Sequence, residues 1–377
     1  MNNPEETAAR LVHALSIVFG GPQETIASES GGPYTRYSLP RTLRLEACSI
    51  CQLKCPSCSR STPSFKATIG SGFLKAKDFR GLLDQNPGIA GVELSNYGEI
   101  FLNPELLEIM AAAYERQVFL AASNGVNLNT AADQVLEGLV RYKIRHLTCS
   151  IDGASPDTYK IYRVNGSYEA VMDNLAKINY FKKKYGSPYP ILSWQFVVFG
   201  HNEHELPLAR KKAAALGMRF SPKLSCDEDF SPIRDPELIK RQTGYRMVSR
   251  REYRRVYGLD YIQEICYNLW DQPQINWDGK VLGCCCNFWG DFGGNAFEEG
   301  LLAALRHEKL AYAKAMLRGQ AKPREDIPCA TCKNYLTMQA SGFFFKPWPA
   351  PLRRGLQLLK LVYPACDLPR LRYWLGV

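Results

Sequence analysis

Three cysteines stand within eight residues, in the stretch Cys51-Gln-Leu-Lys-Cys55-Pro-Ser-Cys58. Thiolates on one short loop suit three corners of a [4Fe–4S] cluster and leave its fourth iron open. Two other interpretations stay open: a zinc site, although zinc ligands usually come as two separated pairs, and a closed cluster with Cys48 as fourth ligand. Because Thr42-Leu-Arg-Leu-Glu-Ala-Cys48 predicts a strand, we expect Cys48 to point away from the loop.

The spacing Cys-x3-Cys-x2-Cys resembles the signature of the radical S-adenosylmethionine (SAM) superfamily, and the resemblance extends from about Thr42 to Cys332. It implies that SAM chelates the open iron through its amino and carboxylate groups. An electron, supplied by a reduced flavodoxin- or ferredoxin-type donor, then cleaves SAM to a 5′-deoxyadenosyl radical that abstracts hydrogen from a substrate. One departure is Ser57, where the family often has an aromatic or large apolar residue.

The composition limits the class of protein. A chain of 377 residues can form one large domain and a smaller one. The net charge of +10 suits an anionic substrate or surface, and we expect no nucleic-acid partner. Thirteen cysteines in ligand-like spacings do not indicate a disulfide scaffold. No apolar run reaches the ~18 residues of a membrane span, and the acidic start differs from a signal peptide. We therefore expect a cytoplasmic protein.

Apolar strands near 42–48, 90–95, 117–123, 145–151, 192–199 and 218–224 alternate with helical patterns. This alternation predicts an α/β fold, a partial (β/α)6 TIM-like barrel built on a parallel sheet with right-handed crossovers. We assign residues 1–40 to an N-terminal helix and loop, 41–225 to the barrel and 226–265 to a basic linker. In such barrels, functional side chains collect at the carboxyl ends of the strands.

Two polar motifs follow the second and third strands. Tyr97-Gly98-Glu99 resembles the family's Gly-Gly-Glu, which implies that Gly98 and Glu99 meet the amino group of SAM. Helix capping is not expected of Glu99, because Asn103-Pro104-Glu105 supplies the next helix start. Ser123-Asn124-Gly125 resembles a family motif whose polar side chain lies near the ribose, so Ser123 and Asn124 are candidates; an ordinary Asn-Gly turn is the alternative.

The fourth strand leads into Ser150-Ile-Asp152-Gly-Ala-Ser-Pro, with Tyr162-Arg163-Val-Asn-Gly166 beyond. This run resembles the superfamily branch that bears SPASM or twitch domains. It implies that Ser150 and Arg163 hold the carboxylate of SAM, with Asp152 in the same site, since an arginine fork can bond both oxygens. The alternative for Arg163 is a surface ion pair. Val198, at the end of the fifth strand, is the expected backbone contact to the adenine.

A second group of cysteines comprises Cys266, Cys284, Cys329 and Cys332. Asp278-Gly279 predicts a β-hairpin whose far strand brings Cys284 beside Cys266. A zinc ribbon would fit the two pairs as well. Behind a radical SAM barrel, however, the pattern resembles a SPASM or twitch domain, here at 266–340, and implies an auxiliary [4Fe–4S] cluster. The further cysteines of a full SPASM domain are missing, as in twitch domains.

Several cysteines compete for these roles. Cys284 and Cys286 should share one face of a strand, so either could be the ligand; the Gly-x4-Cys spacing favours Cys284. We expect Cys149, Cys226 and Cys366 to act as small apolar residues.

A fully thiolate-ligated auxiliary cluster has no open iron, so its expected work is electron transfer. The hypothesis is a radical SAM oxidoreductase that oxidises a small polar substrate. This substrate is expected to resemble a sugar or cyclitol and could carry an anionic group. The cysteine spacing resembles that of twitch enzymes that dehydrogenate an aminocyclitol. One alternative is a maturase that epimerises or cross-links a ribosomally made peptide. Another is a non-catalytic Fe–S or zinc protein in electron transfer.

Two basic segments remain. Between residues 240 and 255 seven Lys or Arg stand against one acid. This run predicts a solvated helix face or a contact to a phosphate or carboxylate of the substrate. The basic aromatic tail, 341–377, could touch a membrane surface peripherally or pack back on the barrel.

Overall fold

The strands form one sheet, in which the first seven are parallel and therefore have their carboxyl ends on the same side. The structure, a computed structural model, describes residues 39–257, 266, 268–342 and 344. All six predicted barrel strands are confirmed, although the first ends at Leu45 rather than at 48. The described strands are β1 (Thr42–Leu45), β2 (Gly91–Glu93), β3 (Phe119–Val126), β4 (His146–Ser150), β5 (Ile191–Val198), β6 (Arg219–Leu224), β7 (Gln274–Ile275) and β8 (Val281–Gly283).

Helices fill the connections between the strands. Each parallel pair from β1 to β6 is joined through at least one helix, as the (β/α) pattern predicts. The described helices are α1 (Pro63–Thr68), α2 (Ala76–Gln85), α3 (Leu106–Glu115), α4 (Asp133–Arg141), α5 (Pro156–Tyr162), α6 (Tyr168–Tyr185), α7 (Leu206–Ala215), α8 (Pro236–Thr243), α9 (Arg250–Tyr257), α10 (Asn268–Asp271), α11 (Leu301–Ala304), α12 (Glu308–Leu317) and α13 (Lys333–Ser341). Short 3₁₀ turns occur at Ser59–Ser61, Ile100–Leu102, Glu203–Glu205 and Pro328–Thr331.

The barrel is open, and a hairpin extends its sheet. The strand order is β6-β5-β4-β3-β2-β1-β7-β8, so β6 and β8 stand at opposite edges. The predicted hairpin is confirmed as the antiparallel pair β7 and β8. Its first strand pairs in parallel with β1, because the backbone N–H groups of Arg44 and Glu46 donate to the carbonyls of Pro273 and Ile275. The second cysteine group is thereby joined to the strand that carries the first.

The two faces of the sheet have different chemistry. Side chains on the helix-facing side are fully buried and apolar, and each such Leu or Phe contributes about 1.5–3 kcal/mol of hydrophobic stabilisation; they include Leu43, Leu147, Trp194 and Phe196. Alternate positions face the barrel interior and are polar. They include Glu46, Glu93, Ser150, Gln195 and Lys223. The interior is therefore a place for polar ligands.

Some expected segments lie outside the described residues: the N-terminal helix expected within 1–40, the tail after 344 with Cys366, and part of the linker, 258–265. The remainder of the expected linker contains the helices α8 and α9. Of the helices that the structure describes, none has the length and apolar character needed to span a bilayer.

The fit of the hairpin against the segment that follows α1 can be tested at Gly72. A Cβ at this position would stand 2.4 Å from the Trp277 ring, whose Nε1 donates to the carbonyl of Ile69 at 2.9 Å. We expect Gly72→Ala to lower the free energy of unfolding by about 1–3 kcal/mol, because the indole must move. Urea denaturation measures this loss.

The matched control is Gly88→Ala, where a Cβ meets nothing within 4 Å. It should change the free energy of unfolding by less than about 0.5 kcal/mol. Equal effects of the two substitutions would contradict a tight contact between Gly72 and the indole.

Candidate functional site

The three-cysteine loop follows β1. Cys51, Cys55 and Cys58 are half-buried, whereas Cys48 is fully buried. Cys48 lies beyond the end of β1, so the prediction that it belongs to this strand is wrong. It forms an isolated antiparallel β-bridge with Phe73. Its Sγ lies 3.3 Å from both backbone polar atoms of Ile50, and burial raises the pKa of this thiol to about 12. Cys48 is therefore turned into the protein, away from the other three thiols.

Hydrogen bonds fasten this loop at both ends. Arg60 donates from Nε to the carbonyl of Ser49 at 2.9 Å and from Nη1 to that of Cys51 at 3.2 Å. The Lys54 amide donates to the carbonyl of Val164 at 3.0 Å. The Ser57 hydroxyl donates to Asp227 Oδ2 at 2.8 Å. Ser57, the residue that departs from the family pattern, thus ties the loop to the segment after β6.

Two side chains donate hydrogen bonds to the cysteine sulfurs. Asn127 Nδ2 lies 3.6 Å from Cys51 Sγ, and Arg163 Nη1 lies 3.6 Å from Cys55 Sγ. Such donors orient metal-ligating groups and adjust their basicity. Asn127 was not singled out from the sequence; the signal was its place as the first residue after β3.

Asp152 and Arg163 form a buried ion pair. Nε and Nη2 of Arg163 each lie 2.6 Å from Asp152 Oδ2, and Asp152 Oδ1 accepts from the Val197 amide at 2.6 Å. The Asp152 side chain is 0% exposed and that of Arg163 is 14% exposed. The alternative of a surface ion pair is therefore wrong. Through this pair, Arg163, which contacts Cys55, is fixed to the ends of β4 and β5.

The turn after β2 is held by buried carboxylates. Glu99 is 1% exposed and accepts from the amides of Asn127 and Phe101. Burial raises the pKa of Glu99 to about 7, although these two bonds oppose the shift. The expectation that Glu99 does not cap a helix is wrong, because its bond to Phe101 caps the 3₁₀ turn Ile100–Leu102. Gly98 is required here, since a Cβ would stand 2.1 Å from the Cys48 carbonyl oxygen.

Two further carboxylates were missed from the sequence. Glu46 accepts from the amides of Tyr97 and Gly98 at 3.0–3.2 Å, and burial raises its pKa to about 8. Glu93 accepts from the Ser123 amide at 2.8 and 3.0 Å. Glu93 ends β2 and Glu46 directly follows β1, both in the alternation that faces the interior; acids at such positions were the available signal.

The triplet Ser123-Asn124-Gly125 lies within β3 rather than after it. The register with β4 shifts between Ala122 and Val126, and Gly125 has φ +114°. The predicted turn is therefore a bulge, which continues the strand to Val126. Asn124 Nδ2 donates to the Ser95 carbonyl and to Asn96 Oδ1, at 2.8 and 2.9 Å.

The remaining expected contacts lie at the same edge of the sheet. Ser150 is close to the bulge, since a Cβ on Gly125 would stand 2.1 Å from its Oγ. Val198 ends β5 with its side chain buried, which leaves its backbone as the available contact. The structure therefore brings the expected residues of β3, β4 and β5 together at the barrel mouth.

A second set of thiols surrounds one cavity. Its lining includes Cys266, Cys284, Cys286, Cys329 and Cys332, together with apolar and aromatic residues. Burial raises the pKa of the Cys329 thiol to about 12. The cavity therefore brings five cysteines from distant parts of the chain to one place.

The strand argument for Cys284 and Cys286 is wrong in its premise, since β8 ends at Gly283 and both lie in the turn that follows. Both nevertheless line the cavity. Cys285 lies elsewhere, near the guanidinium of Arg44. Cys149 is confirmed as a buried core residue, whereas Cys226 is exposed and is not an apolar core residue.

Asn96 and Tyr97 connect the two cysteine regions. Asn96 Nδ2 donates to the Cys285 carbonyl at 3.2 Å, and the Tyr97 hydroxyl donates to the Asn287 carbonyl at 2.6 Å. The Tyr97 ring packs edge-on against Phe65 at 5.4 Å. Tyr97, which stands where the Gly-Gly-Glu pattern has its first glycine, thus holds the turn Cys285–Asn287 against the barrel mouth.

The buried ion pair yields a stability prediction. We expect Arg163→Met to lower the free energy of unfolding by about 3–5 kcal/mol, because Asp152 would keep a buried charge without its partner. Adding Asp152→Asn should recover part of the lost free energy of unfolding, as measured by urea denaturation. The control Arg324→Met breaks an exposed pair with Glu308 and should cost about 0–1 kcal/mol. A double variant no more stable than Arg163→Met would show that the unpaired charge is not the cause.

Comparisons with known proteins agree with this architecture. The model of the Radical SAM superfamily matches residues 45–207. No curated protein matches the chain in sequence. The solved structure of Streptococcus suis SuiB bound to S-adenosylmethionine is 17% identical, with a TM-score of 0.53 over 80% of this chain and 72% of SuiB. Native anSMEcpe with bound AdoMet is 13% identical, with a TM-score of 0.52 over 86% of this chain and 97% of that one.

BtrN in complex with AdoMet and 2-DOIA is 16% identical, with a TM-score of 0.44 over 79% of this chain and 94% of BtrN. The likeness to SuiB and anSMEcpe shows a shared fold. The matched residues include the three-cysteine loop and the polar ends of β2 to β5, so this part of the chain is that of a radical SAM superfamily enzyme.

Proposed function

We propose that this enzyme is a radical SAM oxidoreductase that removes hydrogen from a small polar substrate, sugar- or cyclitol-like, and passes an electron to an auxiliary [4Fe–4S] cluster. The observation that carries the proposal is the cavity lined by Cys266, Cys284, Cys286, Cys329 and Cys332. It offers more thiols than a closed cluster needs, so no iron there would be left for substrate. A cluster without an open iron is suited to electron transfer.

The proposed first cluster is bound by Cys51, Cys55 and Cys58. Together with SAM it supplies, when bound, a 5′-deoxyadenosyl radical for hydrogen abstraction. The donor set fits, because three half-buried thiols share one fastened loop while Cys48 is turned away from it. The Arg163 guanidinium next to Cys55 places a fixed positive charge beside the loop, which favours bound anionic groups there.

SAM itself would be held by residues at the barrel mouth. We assign its amino group to Gly98 and Glu99, its carboxylate to Ser150 and Arg163 with Asp152, its ribose to Ser123 and Asn124, and its adenine to the backbone of Val198. Arg163 keeps Nη1 directed to the loop while Nε and Nη2 engage Asp152. Asp152 therefore orients the guanidinium.

The auxiliary cluster is assigned to Cys266, Cys284, Cys329 and Cys332, in a twitch-like domain proposed for 266–340 behind the barrel domain 41–225. Its place supports the role of electron acceptor, since Asn96 and Tyr97 hold the turn Cys285–Asn287 against the residues proposed for SAM. The electron for the first cluster is proposed to come from a reduced flavodoxin- or ferredoxin-type protein.

The direct test is anaerobic reconstitution of the full chain and of a Cys51/Cys55/Cys58→Ala variant, followed by iron and sulfide counting. We expect about eight irons per chain in the intact enzyme and about four in the variant. After reduction with SAM present, only the intact enzyme should form 5′-deoxyadenosine, and more of it with a sugar or cyclitol substrate. Four irons or fewer in the intact enzyme, or zinc at the second site, would remove the electron acceptor and with it the oxidoreductase proposal.

Single cysteine variants decide the ligands of the auxiliary site. Cys284→Ser should lower the iron content toward about four per chain, because it removes a thiolate from the cavity. Cys286→Ser should retain the full iron content, and so should the control Cys285→Ser, since Cys285 does not line the cavity. Iron loss in Cys286→Ser but not in Cys284→Ser would reverse the assignment.

A further inference from the structure

Lys223 points into the barrel from the last of the parallel strands. It pairs in register with Val197 of β5, and its neighbour Leu224 is buried on the opposite face at 2% exposure. Because side chains alternate along a strand, Lys223 faces the interior while Leu224 packs under the helices. The residue keeps solvent-accessible surface, while its Nζ end is partly buried against Gln195. This lysine therefore lines the open barrel interior at the mouth.

The contacts of Lys223 are polar but uncharged. Its Nζ donates to Gln195 Oε1, and Gln195 Nε2 lies 3.4 Å from Ser150 Oγ. Within the described part of the chain, no carboxylate lies within ion-pair distance of Nζ. Asp152, whose charge acts on Lys223, is already occupied by Arg163 and the Val197 amide. An ammonium group with three donors thus has capacity for a further acceptor.

A second cation stands beside this lysine. Arg250, the first residue of α9, donates from Nε and Nη2 to the Leu224 carbonyl at 3.2 and 2.9 Å. Those two bonds hold its guanidinium at the carboxyl end of β6. Burial among barrel residues, and next the positive charge of Arg250, lower the pKa of Lys223. Two neighbouring like charges repel, and an anion bound between them would relieve the repulsion.

The other cations of the basic run are placed differently. Arg251 pairs with Glu228 and Asp229 at the surface, and Lys240 pairs with Glu237. The rest are exposed, namely Arg241, Arg246, Arg254 and Arg255. The sequence left open whether this run is a solvated face or a substrate contact. Most of this run therefore forms a solvated surface. Arg250 is different, because it lies against β6.

We propose that Lys223 and Arg250 form an anion-binding subsite for the substrate, and that the substrate therefore carries a carboxylate or a phosphate group. Gln195 and Ser150 orient the lysine, and the anion is held at the interior side of the residues assigned to SAM. This inference rests on the proposed function, because it places the substrate in the barrel of a radical SAM enzyme.

The test measures the accessibility of Lys223 to an amine reagent in the reconstituted full chain. The rate of Nζ acetylation is followed by peptide mass spectrometry at constant ionic strength in chloride, in inorganic phosphate and in malonate, each with and without SAM. Lys211, an exposed lysine on α7, is the internal reference. We expect phosphate or malonate to slow acetylation of Lys223 several-fold relative to Lys211, and the more protective anion identifies the group that the subsite prefers.

Matched arginine variants identify the second cation. Arg250→Met should abolish the protection, whereas Arg251→Met, one residue along the same helix, should retain it. Equal acetylation rates of Lys223 in chloride, phosphate and malonate would overturn the proposal. Full protection by SAM alone would also overturn it, because the lysine would then bind the carboxylate of SAM.

Acetylation requires no turnover, so this outcome is separate from that of the proposed function. Protection by phosphate in a protein that forms no 5′-deoxyadenosine would support the subsite while contradicting the oxidoreductase.

Discussion

The buried pair of Asp152 and Arg163 is the interaction on which the mouth of the barrel depends. Asp152 is fully buried and takes a backbone N–H from β5 on one oxygen and the guanidinium on the other. Arg163 extends to Cys55, and the next residue along, Val164, accepts the Lys54 amide. A buried pair of this kind is costly to break on one side only, since the remaining charge stays without a partner. The first cysteine loop is therefore held to β4 and β5.

Other buried carboxylates hold loops in place at the ends of further strands. Glu46, Glu93 and Glu99 each accept backbone N–H groups of a loop or strand end, rather than pairing with a surface cation. Burial raises the pKa of Glu46 to about 8 and that of Glu99 to about 7. A buried acceptor with two oxygens can satisfy several amides of an irregular turn at once. This allows tight turns with glycine at the point of closest approach, as at Gly98.

The hairpin joins the second group of cysteines to the barrel. By pairing with β1, it places the cavity lined by cysteines next to the same edge of the sheet that carries the first loop. Asn96 and Tyr97 then join the two regions through hydrogen bonds to the turn after β8. If both clusters are bound as proposed, the electron acceptor is held by the turn that also contributes to the SAM site, and the interior beside Lys223 is left for the substrate.

Much of this architecture follows from the order of residues along the chain. The spacing of Cys51, Cys55 and Cys58, the alternation of apolar strands with helices, and the Asp-Gly turn of the hairpin are local patterns, and local patterns fix backbone periodicity and the edge at which loops emerge. Sequence therefore indicated the superfamily, the parallel sheet and the cysteines of both groups.

The tertiary structure decided what depends on residues far apart in the chain. It showed that Glu46 and Glu93 support turns of other strands and that Asn127 reaches Cys51. It also showed that Ser123-Asn124-Gly125 forms a bulge and that the hairpin joins β1. It also separated Arg250 from the solvated cations around it and turned Lys223 inward. Partners, burial and the direction of a side chain are set by packing between distant segments, and no spacing within one segment contains that information.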